Sequence, residues 1–214
     1  MAITQNHIAE SLALIVSIVF WKNIKKGKLK WLPFFFFFIL CIELMGSYFK
    51  KVPYANAKLY NITIPLEYLF YLFLFRIHGN KIVRICSLIL GAGLLAVAFY
   101  FFLTKPFQDF HSKVLLFGQA SVIVCCCLYV FEKFRVVDDK PLLRDHFFWI
   151  LTGLLLFNLE DFAYFLLYDM IKANNWDQYD NWFKAINNSL LLLLYLSYII
   201  SILVHRKNQK SNAA

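Results

Sequence analysis

Seven long apolar segments, separated by shorter polar ones, follow one another along the chain. We predict helices over residues 8–24, 31–49, 62–77, 82–103, 113–131, 147–168 and 182–204. An apolar helix of about 20 residues crosses a hydrocarbon core of about 30 Å. The pattern therefore predicts an all-α, polytopic integral membrane protein built as a seven-transmembrane-helix bundle. We expect one seven-helix transmembrane domain over residues 1–205 and a short basic cytoplasmic tail over residues 206–214.

The composition agrees with a location in the lipid bilayer. Hydrophobic residues make up 61% of the chain and charged residues only 16%, whereas a soluble domain carries about 25% charged residues. The net charge of +9 could suggest nucleic-acid binding. The basic residues lie between the apolar segments, however, where they act as topology signals, so we expect no nucleic-acid partner.

The distribution of lysine and arginine predicts an orientation. The loops after the first, third and fifth helices, together with the C-terminal tail, carry fifteen of these residues, and the remaining loops and the N-terminus carry seven. Positive charge collects on the cytoplasmic side. The bias therefore places the N-terminus outside and the C-terminus in the cytoplasm, in a multi-pass protein of the cell (inner) membrane. No basic residue precedes the first apolar segment, which we expect to be retained as a helix.

Two adjacent carboxylates, Glu160 and Asp161, lie inside the apolar run from Phe147 to Tyr168. An ionised carboxylate at the centre of a membrane helix costs roughly 2.5–3.5 kcal/mol, so such residues face a bundle interior and mark functional sites. In the predicted orientation, polar residues of other helices lie at the same outer level. The predicted pocket residues are Glu43, Glu67, Gln119, Asn158, Glu160, Asp161, Asn187 and Asn188. The fourth predicted helix contributes none.

These residues predict an outward-facing acidic and amide pocket. Several carboxylates facing one another cannot all stay ionised, so they must share protons or hold a cation. Lys184, one turn before Asn187, could form an ion pair with Glu160 or Asp161. Glu10 lies at the same level but close to the surface, where water could solvate it. The amides alone could also be interhelical hydrogen bonds worth about 0.6 kcal/mol each.

The remaining signals concern the third helix and the metal-binding residue types. Pro65 lies two residues before Glu67 and could open a hinge, and Asn61 could cap the start of that helix.

The five cysteines lie in apolar segments without zinc-site spacing, and the five histidines lie at helix ends. We therefore expect no metal site, no cofactor and no disulfide framework.

The second and sixth predicted helices share a local pattern. Each sets an acid before a small residue and then aromatic residues, around Glu43 and around Glu160 and Asp161. Glu67 and Asn187 follow at similar depths in the next helices. The pattern suggests two parallel three-helix repeats joined by the fourth helix. This layout is similar to that of the sugar-efflux SWEET proteins. Their proline–glutamine motifs have no convincing match here, so the likeness concerns layout alone.

Three functions fit these features. A small-solute or cation/proton-coupled transporter is favoured, because intramembrane carboxylates bind protons, cations or amines. A ligand-sensing receptor or scaffold subunit would need a partner membrane protein or a second copy. A carboxylate-dependent intramembrane hydrolase is the third alternative, although no base is matched to Ser47 or Ser189, and enzymatic activity is not favoured. The expected partners are the lipid bilayer and a small polar or cationic solute.

Overall fold

The protein is all-helical, as the sequence predicts. The computed structural model describes residues 5–49, 52, 54–135, 141–174, 176 and 181–211. Of these residues 88% are helical and none lies in a strand. A 3-10 turn spans Leu142–Arg144. The α-helices are α1 (Gln5–Val19), α2 (Trp21–Ile24), α3 (Leu32–Phe49), α4 (Ala55–His78), α5 (Lys81–Thr104), α6 (Ser112–Arg135), α7 (His146–Ala173) and α8 (Asn181–Ser211).

Five of the described helices are long and apolar enough to cross a membrane. These spans are Leu32–Phe49, Lys81–Thr104, Ser112–Arg135, His146–Tyr168 and Asn181–Gln209. They support a membrane location. Helix α1 has only 15 described residues, and α4 carries several polar residues in its first half. The prediction of seven membrane crossings is therefore not confirmed by these helices.

Two local predictions need correction. The first predicted helix is broken at Phe20, which leaves α1 and the single turn α2. Helix α4 begins at Ala55, seven residues before its predicted start, because residues 55–61 are too polar to register as an apolar segment. Asn61 therefore lies inside the helix and does not cap it. Its side chain instead holds the α5–α6 loop, accepting from the His111 backbone N–H at 2.9 Å and donating to the Asp109 carbonyl at 2.7 Å.

The long helices form a ring in which α1 and α8 run in the same direction. Two hydrogen bonds show this: Asn6 of α1 meets Asn188 near the start of α8, and Asn23 of α2 meets Gln209 near the end of α8. Around the ring, neighbours pack in the order α1, α3, α4, α6, α7, α8 and back to α1. Helix α5 lies outside, packed against α4 and α6. The basic residues 206–211, predicted as tail, continue α8, and residues 212–214 lie outside the described residues.

The two ends of the ring differ in content. We call the end that holds Glu10, Glu43, Glu67 and Asp161 the acidic end. The opposite end, where His78, His146 and His205 come together, is the histidine end; the His78 and His146 ring centroids are 5.4 Å apart, and those of His146 and His205 are 4.7 Å apart.

Aromatic rings pack against one another at the histidine end. The His78 ring stacks on Phe147 at 4.2 Å, and Phe75 and Tyr129 meet Phe147 edge-on at 5.6 and 5.0 Å. Phe147 is consequently only 1% exposed. Helices α7 and α8 also approach closely between the two ends, since a Cβ on Gly153 would overlap the Ser197 Oγ.

Candidate functional site

A cavity of about 180 Å³ lies at the acidic end, inside the ring of helices. All six ring helices contribute to its wall, whereas α5 contributes nothing. The wall has three kinds of side chain. Its polar members are the carboxylates Glu10, Glu43, Glu67 and Asp161, the tyrosines Tyr60, Tyr68, Tyr71 and Tyr195, and Asn187 and Thr63; aliphatic side chains and Phe157 complete it.

Four of the predicted pocket residues line this cavity together, namely Glu43, Glu67, Asp161 and Asn187. A fifth, Gln119, is fully buried behind the wall, and its Nε2 donates to the Asp161 Oδ2 at 3.3 Å. One carboxylate from each of α3, α4 and α7 therefore points into the cavity, since each lies on the face of its helix that is directed to the centre of the ring.

The other predicted residues lie outside the wall. Asn158 is fully buried and donates to the Leu154 carbonyl of its own helix at 2.7 Å. Asn188 accepts from Asn6 at 3.0 Å. Glu160 is half-buried on α7, one position before Asp161, and Lys184 is exposed on α8. Neighbouring positions on a helix are rotated by about 100°, which separates Glu160 from Asp161 and Asn188 from Asn187.

Glu10 is the acid that the sequence argument left out. Its closeness to the end of α1 suggested contact with water, yet the side chain is only 1% exposed and lines the cavity. Packing of α1 between α3 and α8 covers it. The charges of Glu10, Glu43 and Glu67 interact with one another, and that of Asp161 interacts with Glu160 and Glu67. The four wall acids are therefore one electrostatic group, and Glu160 is coupled to it through Asp161.

Several buried oxygens at the acidic end have no hydrogen-bond partner among the described residues. They belong to three acids and two amides: the Glu10 Oε2, Glu160 Oε2, Asp161 Oδ1, Gln119 Oε1 and Asn187 Oδ1. A buried polar atom without a partner costs roughly 1–3 kcal/mol, and more when it is charged. The site therefore presents acceptors to a donor or a cation that enters the cavity.

Tyrosine hydroxyls hold two of the carboxylates in place. The Tyr71 hydroxyl donates to the Glu67 Oε1 one turn away on α4, and the Tyr60 hydroxyl donates to the Glu43 Oε1 at 3.4 Å. These tyrosines were not predicted. The spacing of Tyr71, four residues after Glu67, could have indicated this contact, because side chains at i and i+4 share a helix face.

Two glycines make room for the tyrosine rings. A Cβ on Gly46 of α3 would lie 2.6 Å from the Tyr60 hydroxyl, and one on Gly118 of α6 would lie 2.5 Å from the Tyr68 ring. Real Cβ atoms do not approach other atoms so closely, so only glycine lets these rings lie against the neighbouring helix. Small residues at helix contacts are the usual means of close packing in membranes.

A larger cavity, of about 260 Å³, lies at the histidine end. Its charged side chains are already engaged with protein groups: Lys133 pairs with Asp145 at 2.9 Å, and Glu132 accepts from Asn80. Asp145 also caps α7, accepting from the Phe147 N–H at 3.0 Å. Burial by itself would raise the Asp145 pKa, but the Lys133 ion pair and the hydrogen bonds outweigh burial and lower it. This cavity is therefore the weaker candidate.

No group of three or more His, Cys, Asp or Glu side chains within the described parts of the chain is arranged to hold a metal ion. No family model, no curated protein and no solved structure matches the chain. The residues of the acidic end are therefore the basis for assigning a function.

Proposed function

We propose that the chain is a seven-crossing membrane transporter that takes up a small cationic solute into the acidic cavity, with protons or a second cation sharing the carboxylates. One observation carries this proposal: four carboxylates from four helices line one cavity, and no basic side chain belongs to its described wall. In a low-dielectric interior, several carboxylates around one cavity favour the entry of a cation or of protons.

The order of the helices supports transport. In the ring, α1, α3 and α4 form one triplet, and α6, α7 and α8 form another, with α5 between them in sequence and outside in space. Equivalent helices of the two triplets supply Glu10 and Gln119, Glu43 and Asp161, and Glu67 and Asn187. Binding sites at the interface of two parallel repeats are a known arrangement in transporters.

The lysine and arginine bias gives this proposal its direction. Fifteen of the twenty-two basic residues belong to the loops and tail of the histidine end, as the sequence assigns them. We therefore place the histidine end in the cytoplasm of a cell membrane and the acidic end outside. In this arrangement the aromatic packing around Phe147 is the closed inner gate, and transport requires it to open.

The same packing favours one second candidate, a ligand-sensing receptor. The Phe147 cluster packs α4 and α6 against α7 at the histidine end, and a protein that keeps this packing would hold its ligand in the acidic cavity. A receptor would bind solute, change its cytoplasmic surface and pass nothing across the membrane. Transport and sensing therefore differ in one measurable property, which is net movement of solute.

Uptake by the purified protein in proteoliposomes tests the proposal. Radiolabelled methylammonium, ethanolamine and rubidium serve as probes, and a trapped pH dye reports proton coupling. We expect saturable uptake of at least one probe. Asp161→Asn should reduce this uptake at least tenfold, because it removes a carboxylate from the cavity wall.

Glu160→Gln is the comparison variant, since it changes the neighbouring carboxylate, which acts on Asp161 by its charge but lies outside the wall. Its uptake should fall by much less than that of Asp161→Asn, by about threefold at most. Solute binding without any uptake would refute transport and support the receptor. Equal losses in both variants would show that the cavity wall is not the site.

A further inference from the structure

The acidic cavity has an apolar wall as well as an acidic one. Six aliphatic side chains face the same space as the carboxylates: Ile39, Ile42, Ile64, Leu115, Leu191 and Leu194. A proton or a bare metal ion gains nothing from such a wall. A solute with a hydrocarbon body does, because dispersion contacts with a close-packed apolar surface add up over its atoms.

Tyrosine rings surround the acids. Tyr68 and Tyr71 meet edge to face with their centroids 5.7 Å apart, and both are nearly fully buried. An ammonium group within about 6 Å of an aromatic ring is attracted to its face, and the attraction is larger when both groups are desolvated. A carboxylate beside such rings therefore favours an organic cation over a strongly hydrated inorganic one.

The size of the cavity limits the solute. Its volume of about 180 Å³ is smaller than the roughly 300–1,000 Å³ of sites for drug-sized ligands. Only a compact solute with few non-hydrogen atoms fits.

From these features we infer that the solute is a small aliphatic amine, with one or two ammonium groups on a short hydrocarbon chain. Its ammonium donates to the oxygens that lack partners, on Glu10 and Asp161, which are 1% and 8% exposed. Its hydrocarbon part lies on the isoleucine and leucine wall. This inference rests on the proposed function only in taking the acidic cavity as the solute site.

Calorimetric titration of the detergent-purified protein tests the inference with matched probes. Propylamine and putrescine are the amines, and propanol and 1,4-butanediol are neutral molecules of the same shape. We expect saturable binding of at least one amine, at least tenfold tighter than that of its alcohol. Asp161→Asn should weaken amine binding at least tenfold, and Glu132→Gln at the histidine end should leave it unchanged.

The tyrosine contribution has its own pair of variants. Tyr68→Phe keeps the ring and should bind the amine within about threefold of the wild type. Tyr68→Leu removes the ring and should bind it at least threefold more weakly than Tyr68→Phe does. Gel filtration and the thermal midpoint show whether each variant is folded. A folded Asp161→Asn variant that binds amine normally would overturn the inference.

Two further outcomes separate this inference from the transport proposal. Amine binding without uptake in proteoliposomes would refute transport and leave the amine assignment standing. Uptake of rubidium that depends on Asp161, with no amine binding, would support transport and overturn the amine assignment. Equal affinity for the amine and its alcohol would also overturn it.

Discussion

The histidine end and the acidic end are built from the same helices but use buried space differently. At the histidine end, rings from α4, α6 and α7 close around Phe147. At the acidic end, the same helices enclose a cavity whose wall includes carboxylates from four helices. Side chains decide this difference, since the backbone is helical at both ends. Rings from two helices pack around Phe147 of a third at one end, and acids surround a cavity at the other. The larger cavity of the histidine end is lined by residues of α4, α5, α6 and the α4–α5 turn.

Glycine has two different roles in the bundle. Between the two ends, Gly153 brings α8 against α7, so the gap between helices is filled by backbone and by Ser197. At the acidic end, Gly46 and Gly118 admit tyrosine rings, which hold or surround the acids. The close approach at Gly153 thus packs two helices together, whereas the close approaches at Gly46 and Gly118 shape the wall of the acidic cavity.

The largest expected effect compares two phenylalanines of α7. Phe147→Ala should lower the free energy of unfolding by about 2–3 kcal/mol. This is less than the full cost in a soluble protein, because the unfolded helices stay in lipid and the side chain is not transferred to water. Only the loss of packing around the empty space remains. Phe157 borders the acidic cavity and has fewer partners on that side, so Phe157→Ala should cost about half as much. Reversible unfolding in mixed detergent micelles measures both. A larger loss for Phe157→Ala would contradict the difference between the two ends.

The next effect concerns Gly118 and the tyrosine ring beside it. Gly118→Ala places a Cβ 2.5 Å from the Tyr68 ring, and such overpacking should cost about 1–3 kcal/mol. The ring must move toward the cavity, so uptake or binding of the cationic probe should fall as well. Thermal midpoints and probe binding on the same preparation measure the two losses.

Gly91→Ala on α5 is the control for that change. The nearest atom to its added Cβ lies 3.7 Å away, an ordinary contact, and alanine favours helix over glycine by about 0.5–1 kcal/mol. This variant should be as stable as the wild type or slightly more stable, with unchanged binding. If both variants behave alike, space at Gly118 does not shape the cavity.

The smallest expected effect lies at the histidine end. The pKa of Asp145 is lowered in the folded protein, so the stability it contributes is present above the unfolded pKa of about 3.9 and is lost as pH falls through the folded value. Asp145→Asn keeps a capping side chain but loses the Lys133 pair. Since that pair is partly exposed, we expect a loss of about 0.5–1 kcal/mol at pH 7.

Thermal midpoints between pH 3 and pH 7 check this prediction. The difference between the wild type and Asp145→Asn should shrink as the pH falls below about 4. Asp145→Ala should lose a further ~1 kcal/mol at every pH, because alanine cannot cap α7. A difference that stays constant down to pH 3 would show that the Asp145 charge contributes nothing.

Hydropathy alone was enough to place the long helices of this protein. Each predicted apolar segment lies in a helix of the structure, with ends shifted by a few residues. The exceptions are the polar start of α4, which resembles a loop in composition, and the break at Phe20. Depth along each helix also follows from the sequence, because the rise per residue is constant. Glu43, Glu67, Asp161 and Asn187 could therefore be assigned to one level before any contact was known.

Rotation about each helix axis was decided by the tertiary structure. Glu160 and Asp161 are equal in depth and chemistry, yet only Asp161 lines the cavity. Packing of α1 between α3 and α8 similarly made Glu10, whose contact with water the sequence left open, part of the wall. The α3 and α7 segments are apolar on nearly every side, so they have little amphipathic pattern to show which face points to the centre of the ring. That choice depends on how the glycines and rings of neighbouring helices fit together.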